Sequence, residues 1–261
     1  MFLKILKNLI PLEIQELIAR HLQAERSYRI NKKYSGIQLE DSIKNVDEST
    51  YEKYKNYREA EHQIGRFLNM KKILQKVKDM HISGDLVEFG TWQGQGLRFF
   101  DIAVDNKIDK KMIGIDSFKG LPESSTVWKK GSFSNTSYES VEKKLAALTK
   151  NFSNVTLIKG LFNDPGVAKS LYDKVNDIAI VHLDADLGSS TIEALTMLEP
   201  YLENRKQPMY FLFDDWGCHP NEVPEAFDKW MSEAESKYGL QAEMLYFTNL
   251  TRYYEISFRR N

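Results

Sequence analysis

The spacing of apolar residues changes near Gly84. Before it, apolar positions recur at helical intervals: Leu12 to Gln23 reads as one helix and Ser49 to Met80 as a longer one. Between them, Ser27 to Asp47 is of mixed polarity and contains Ser35-Gly36, so a connecting stretch is expected there. Tyr51, Tyr54 and Tyr57 recur every three residues and would line one helix face, either as packing or as a lid over a substrate. Packing is the preferred reading, because periodicity does not locate a pocket.

After Gly84, short apolar runs alternate with helical patterns. The candidate strands are Leu86 to Phe89, Met112 to Ile115, Val155 to Ile158, Ile178 to Leu183 and Tyr210 to Phe213. The candidate helices between them are Gly96 to Val104, Ser137 to Thr149, Gly166 to Lys174 and Ser190 to Leu202. This alternation predicts an α/β fold built on a mostly parallel sheet with helices on both faces. A further helix, Pro224 to Tyr238, precedes Ala242 to Phe247 and Arg252 to Phe258, which read as an antiparallel hairpin at the sheet edge. The expected organisation is an N-terminal helical region, 1–82, followed by a ligand-binding domain, 83–261.

Composition narrows the class. In a chain of 261 residues, 42% hydrophobic and 12% aromatic content can fill a core without disulfides or metal staples, which excludes general disorder. The single cysteine, Cys218, forms no internal disulfide and fits a reducing cytoplasm. Met1 to Pro11 is apolar but interrupted by Lys4 and Lys7, without a small-residue cleavage site, so neither a signal peptide nor an integral membrane segment is expected. Packing, docking or a contact within a homo-oligomer would suit it. The formal charge of -1, from 36 basic and 37 acidic residues, hides a basic surplus before Gly84 and an acidic one after it. The lysines of the first part are scattered among acids, so no nucleic-acid partner is expected.

The candidate chemistry lies at the strand ends. Val87-Glu88-Phe89-Gly90-Thr91-Trp92-Gln93-Gly94-Gln95-Gly96 joins the first strand to its helix, and such a glycine-rich turn lets a nucleotide or adenosyl ligand approach the backbone. Its glycine spacing departs from the dinucleotide fingerprint, which disfavours a nicotinamide-dependent oxidoreductase. Asp116 ends the second strand, where a carboxylate can accept from both ribose hydroxyls. Lys159-Gly160-Leu161-Phe162 follows the third strand and could border a flat base. The fourth strand ends in His182-Leu183-Asp184-Ala185-Asp186 and the fifth in Phe213-Asp214-Asp215-Trp216. Four carboxylates at one sheet edge repel one another, and a hard divalent cation would compensate them, Mg²⁺ rather than Zn²⁺.

These segments together, with Ser117-Phe118-Lys119-Gly120-Leu121-Pro122 and Ser189-Ser190-Thr191, resemble the macrocin O-methyltransferase family. Its members are class I enzymes with a Rossmann-like sheet that use S-adenosylmethionine and Mg²⁺ to methylate sugar hydroxyls, notably on antibiotics. The resemblance covers about residues 84 to 230, the first 80 matching only as a variable helical region. It implies a small-molecule or glycan acceptor. It places Glu88, Gly90 and Asp116 at cofactor positions, with Thr91, Trp92, Gly94, Ser117, Gly160, Phe162 and Asp184 beside them. It also implies Asp184, Asp214 and Asp215 as metal ligands and Asp186 as general base, His219 being a rival base on the following loop. Gly188 departs from the family, which commonly has a bulky aromatic there, and the loop from Gly217 to Pro224 is individual. A catechol-type O-methyltransferase and a non-catalytic S-adenosylmethionine-binding protein are the competing readings, the second disfavoured because a binding module has no need to gather repelling acids.

Overall fold

The computed structural model describes residues 12–34, 42–104, 110–150, 152–203, 205–217 and 222–259. The apolar opening segment, Ser35-Gly36, Cys218 and His219 lie outside the described residues. The chain forms two compact units, Met1–Gly65 and Arg66–Asn261. Residues 66–82, assigned from sequence to the N-terminal region, count with the second unit.

Helix α1 spans Leu12–Lys33 and so continues through Ser27 to Lys33, where a connection was expected. Four-residue charge pairs, Arg20 with Glu16 at 3.4 Å and Arg29 with Glu25 at 3.3 Å, support it, as do the basic residues of its last turn. The single helix expected from Ser49 to Met80 is two, α2 at Glu48–Tyr54 and α3 at Arg58–Asp79. Asp47 caps α2 by accepting from Thr50 N at 2.8 Å. The break follows because Tyr57 N donates to Tyr54 O at 2.9 Å, a three-residue bond that ends the four-residue ladder. Tyr51 and Tyr54 therefore lie in α2 and Tyr57 beyond it. The Tyr54 ring meets Tyr34 at 5.6 Å and Tyr57 at 6.3 Å, and Tyr51 Oη donates to Glu61 Oε1 at 3.0 Å. Their contacts are those of packing within the first unit.

In the second unit, β1 (Asp85–Phe89), β2 (Met112–Asp116), β3 (Val155–Lys159), β4 (Ile178–Leu183) and β5 (Met209–Phe213) alternate with α4 (Gln95–Val104), α5 (Tyr138–Leu148), α6 (Pro165–Lys174) and α7 (Gly188–Leu198). Helix α8 (Glu222–Tyr238) leads into β6 (Leu240–Phe247) and β7 (Arg252–Phe258). The seven strands are ordered β3-β2-β1-β4-β5-β7-β6, parallel except where β7 runs against both β5 and β6. The expected mostly parallel sheet with a C-terminal antiparallel hairpin is thus observed. Local chemistry sets several boundaries. Ser137 and Ser140 form a capping box at the start of α5, and Asp164 caps α6 ahead of Pro165. Helix α7 stops at Leu198, short of the expected Leu202, because Pro200 has no N–H to continue it and the chain finishes in a 3₁₀ turn, Glu199–Tyr201.

Alternation along the strands sorts the two faces. Val87 and Phe89, Val181 and Leu183, and Phe211 and Phe213 join one core with Leu171 of α6, Leu195 of α7 and Phe227 and Trp230 of α8. Glu88, His182 and Leu212 occupy the intervening positions, paired across β1, β4 and β5. The strand order reverses between β1 and β4, so their carboxyl ends flank a crevice, the place where open α/β sheets bind ligands. Among the described residues no helix is long and apolar enough to cross a membrane.

Candidate active site

At the end of β1 the chain turns at Gly90 with φ +90°. A Cβ there would stand 1.7 Å from the Asp184 carbonyl oxygen, so only glycine lets the ends of β1 and β4 come this close. The strands are tied across the turn by Gly90 N donating to Ile115 O and Asp184 N donating to Phe89 O, each at 2.9 Å. Thr91 is buried, and Trp92 adopts a left-handed φ of +43° before Gly94 at +79°. Asp116 holds this loop in shape. Its Oδ2 accepts from Trp92 N at 2.7 Å and its Oδ1 from Phe118 N at 2.6 Å. Burial pushes the Asp116 carboxyl up, while the N–H groups of Phe118, Trp92 and Thr91 work against that rise. A carboxylate offers about four acceptor sites, so these bonds leave Asp116 capacity that suits ribose hydroxyls.

The other expected cofactor residues gather around the same end. The Trp92 indole donates to Asn135 Oδ1 at 3.0 Å and packs edge-on against Phe133 at 5.6 Å. Ser117 Oγ closes the following turn, accepting from Lys119 N and donating to Gly120 O, both at 3.1 Å. Gly160 N donates to Asp116 O at 2.9 Å, and Phe162 meets Phe89 edge-on at 5.3 Å. Glu88 is placed differently. It is 1% exposed, inside β1, with Oε1 2.9 Å from His182 Nδ1 on β4. The His182 ring in turn lies edge-on to Phe100 at 5.8 Å.

At the ends of β4 and β5 the carboxylates converge. Asp186 and Asp215 both take left-handed backbone, φ +58° and +56°, a conformation aspartate tolerates better than most residues. One oxygen from each of Asp184, Asp186 and Asp215 lies within 4.8 Å of the others. A second group on the same distance criterion joins His182, Asp184 and Asp214. Asp184 therefore belongs to both, and Asp186 shares the first group with Asp184 and Asp215. Burial first, then Asp214 and Asp215, raises the Asp184 carboxyl well above the usual carboxylate range despite Arg66 nearby. Asp186 is pushed up to about 8, by burial and then by Asp184, Asp214 and Asp116.

Arg66, on α3, stands at this cluster and was not among the residues singled out from the sequence. Only 4% exposed, it forms an ion pair with Asp214 Oδ2 and stands 3.9 Å from Asp184 Oδ2. Its guanidinium lies 5.2 Å over the Phe99 ring, and its carbonyl accepts from Tyr253 Oη at 3.2 Å. Burial alone would lower its proton affinity, but Asp214 and then Asp184 outweigh burial and raise it, so the group stays charged. A signal existed: a cation inside the apolar run Ile64-Gly65-Arg66-Phe67-Leu68. Its partner, 148 positions away, carried none.

Gly188 also has a local reason. A Cβ there would come within 2.9 Å of the Glu222 carbonyl oxygen, so the start of α7 has no room for an aromatic residue against α8. The all-oxygen group of Asp184, Asp186 and Asp215 matches the donors of a hard divalent cation. The group containing His182 is less suited to one, since an imidazole replaces an oxygen and Asp214 already faces a guanidinium.

A profile of the Macrocin-O-methyltransferase (TylF) family matches residues 2–247. The chain belongs to the macrocin-O-methyltransferase family. It is accordingly an S-adenosylmethionine-dependent O-methyltransferase. Among solved structures, the O-methyltransferase NovP is similar with a TM-score of 0.59 and 23% identity, over 75% of this chain and 81% of that one. CalS11, a calicheamicin methyltransferase, is similar with a TM-score of 0.58 and 20% identity, over 88% of this chain and 91% of that one. Its apo structure, described as a TDP-rhamnose 3'-O-methyltransferase, gives 0.53 and 18% over 88% and 92%. At these identities the likeness establishes a shared fold. No curated protein matches the chain in sequence.

Proposed function

We propose that this macrocin-family O-methyltransferase acts on a hydroxyl of a sugar or of a glycosylated small molecule, with Asp186 as general base and a divalent cation, Mg²⁺, at the carboxylate cluster. The observation that carries the reading is the convergence of Asp184, Asp186 and Asp215 within 4.8 Å, at the strand ends next to the glycine turn of β1. The family name and the sugar-modifying CalS11 support a sugar acceptor over a catechol.

Bound S-adenosylmethionine supplies an electrophilic methyl group on a sulfonium. The β1 turn from Gly90 to Gly94 and the Asp116 carboxylate hold the adenosyl end, with Ser117, Gly160 and Phe162 bordering it. Glu88 orients His182 at the end of β4 from within β1. Holding donor and acceptor oxygen in line contributes about 7–11 kcal/mol in favourable cases, so positioning is the main work of the protein. A bound divalent cation would supply Lewis acidity to the acceptor oxygen; Asp184 and Asp215 would hold it, and Asp214, grouped with Asp184 but paired with Arg66, would be a third ligand only in competition with that guanidinium. Asp186, grouped with Asp184 and Asp215, stands next to any hydroxyl held there and takes its proton. A cytoplasmic setting is part of this reading and rests on the single cysteine.

The test is turnover on panels of sugar and catechol acceptors, with and without EDTA, together with Asp186→Asn and His219→Ala. Sugar methylation that stops in EDTA and in Asp186→Asn, but survives in His219→Ala, is expected. EDTA-insensitive turnover would remove the metal from the mechanism. Loss of activity in His219→Ala with survival in Asp186→Asn would transfer the base to His219.

A further inference from the structure

A cation of the chain's own faces the acid cluster. Arg66 reaches Asp214 and Asp184 from α3, lies over Phe99, and is held at its carbonyl by Tyr253. Asp214 is 5% exposed and shares the His182–Asp184–Asp214 group, while the Asp184–Asp186–Asp215 group lies nearer the surface, each member half-buried. Buried carboxylates gathered this closely need a positive charge, and a chain that must fold before it meets a metal benefits from carrying one.

We propose that Arg66 is a positioning residue, the resident counter-ion of Asp214, which stabilises the acid cluster in the metal-free protein and competes with the divalent cation for that carboxylate. This rests on the metal reading above. The consequence is a tuned affinity: Asp214 is shared with a guanidinium that also stands near Asp184, so divalent binding is weaker than three aspartates alone would give. A buried arginine serving only as packing on Phe99 would have no such effect.

The experiment measures Mn²⁺ binding by electron paramagnetic resonance, and thermal unfolding in EDTA and in Mg²⁺, for wild type, Arg66→Met, Arg66→Lys and Arg66→Met/Asp214→Asn. Arg66→Met should unfold at a lower temperature in EDTA and gain more from Mg²⁺ than wild type does. Its Mn²⁺ affinity should rise on the order of 10-fold, the scale on which neighbours of metal ligands act. Arg66→Lys, which keeps the charge, should stay near wild type. A folded Arg66→Met with unchanged or weaker Mn²⁺ affinity overturns the proposal. Mn²⁺ binding by Arg66→Met but not by wild type supports it while removing the metal from the native mechanism; binding by neither removes both. Should Arg66→Met fail to fold in EDTA, recovery by Mg²⁺ or by Asp214→Asn supports the counter-ion role, and recovery by neither overturns it.

Discussion

The two halves of the crevice hold the same chemical group by opposite means. At the end of β2, Asp116 is surrounded by backbone N–H groups, from Trp92 at 2.7 Å and Phe118 at 2.6 Å, so its charge is dispersed into the turn that it shapes. At the ends of β4 and β5, Asp184, Asp186, Asp214 and Asp215 gather close together, with the Arg66 guanidinium on Asp214. The first arrangement is rigid and satisfied, as a binding lip should be; the second stores repulsion that a ligand can relieve. In the proposed function, the carboxylate stitched by amides serves recognition and the clustered carboxylates serve chemistry. Gly90 joins the two, since its missing Cβ lets the β1 turn pass the Asp184 carbonyl.

That division can be broken by experiment. The largest effect should come from Asp186→Asn, with kcat falling ~10²–10⁴-fold, the usual contribution of a general base, while S-adenosylhomocysteine and Mn²⁺ affinities hold in calorimetry. Loss of Mn²⁺ binding instead would make Asp186 a ligand. Gly90→Ala should disturb both halves, because it combines left-handed backbone with a clash against Asp184; a loss of at least ~2 kcal/mol in urea unfolding is expected, and an unchanged midpoint would uncouple the two strand ends. Asp116→Asn should act on the recognition half alone, weakening S-adenosylhomocysteine roughly 10-fold, about 1.4 kcal/mol, and leaving Mn²⁺ affinity intact. If Mn²⁺ affinity fell in parallel, the two halves would be one electrostatic unit. The smallest effect is expected for Asn135→Ala, which removes the partner of the Trp92 indole at about 0.5–1.5 kcal/mol and should loosen cofactor binding only a few-fold by titration.

Much of this architecture was legible in the residues. Short apolar runs located all five parallel strands, Ser137 stood at the start of α5, and the acids after Leu183 and Phe213 pointed to the edge where they converge. The errors share a cause. The helix expected from Ser49 to Met80 breaks after Tyr54, and α1 extends beyond Gln23, because apolar spacing says little where helices carry few apolar residues and are supported by charge pairs and a cap. The closeness of Asp186 to Asp184 and Asp215 was not legible either, because it depends on a left-handed turn after β4.

The sequence by itself determined the elements, their order and the chemical groups at their ends, since periodicity, caps and turn residues act over a few positions. Only the tertiary structure decided which groups meet. Strand order put β4 beside β1 and so paired Glu88 with His182, and folding brought Arg66 to Asp214 across 148 positions. Backbone geometry is local and can be read in a window of residues, whereas charge compensation depends on topology, which no window contains.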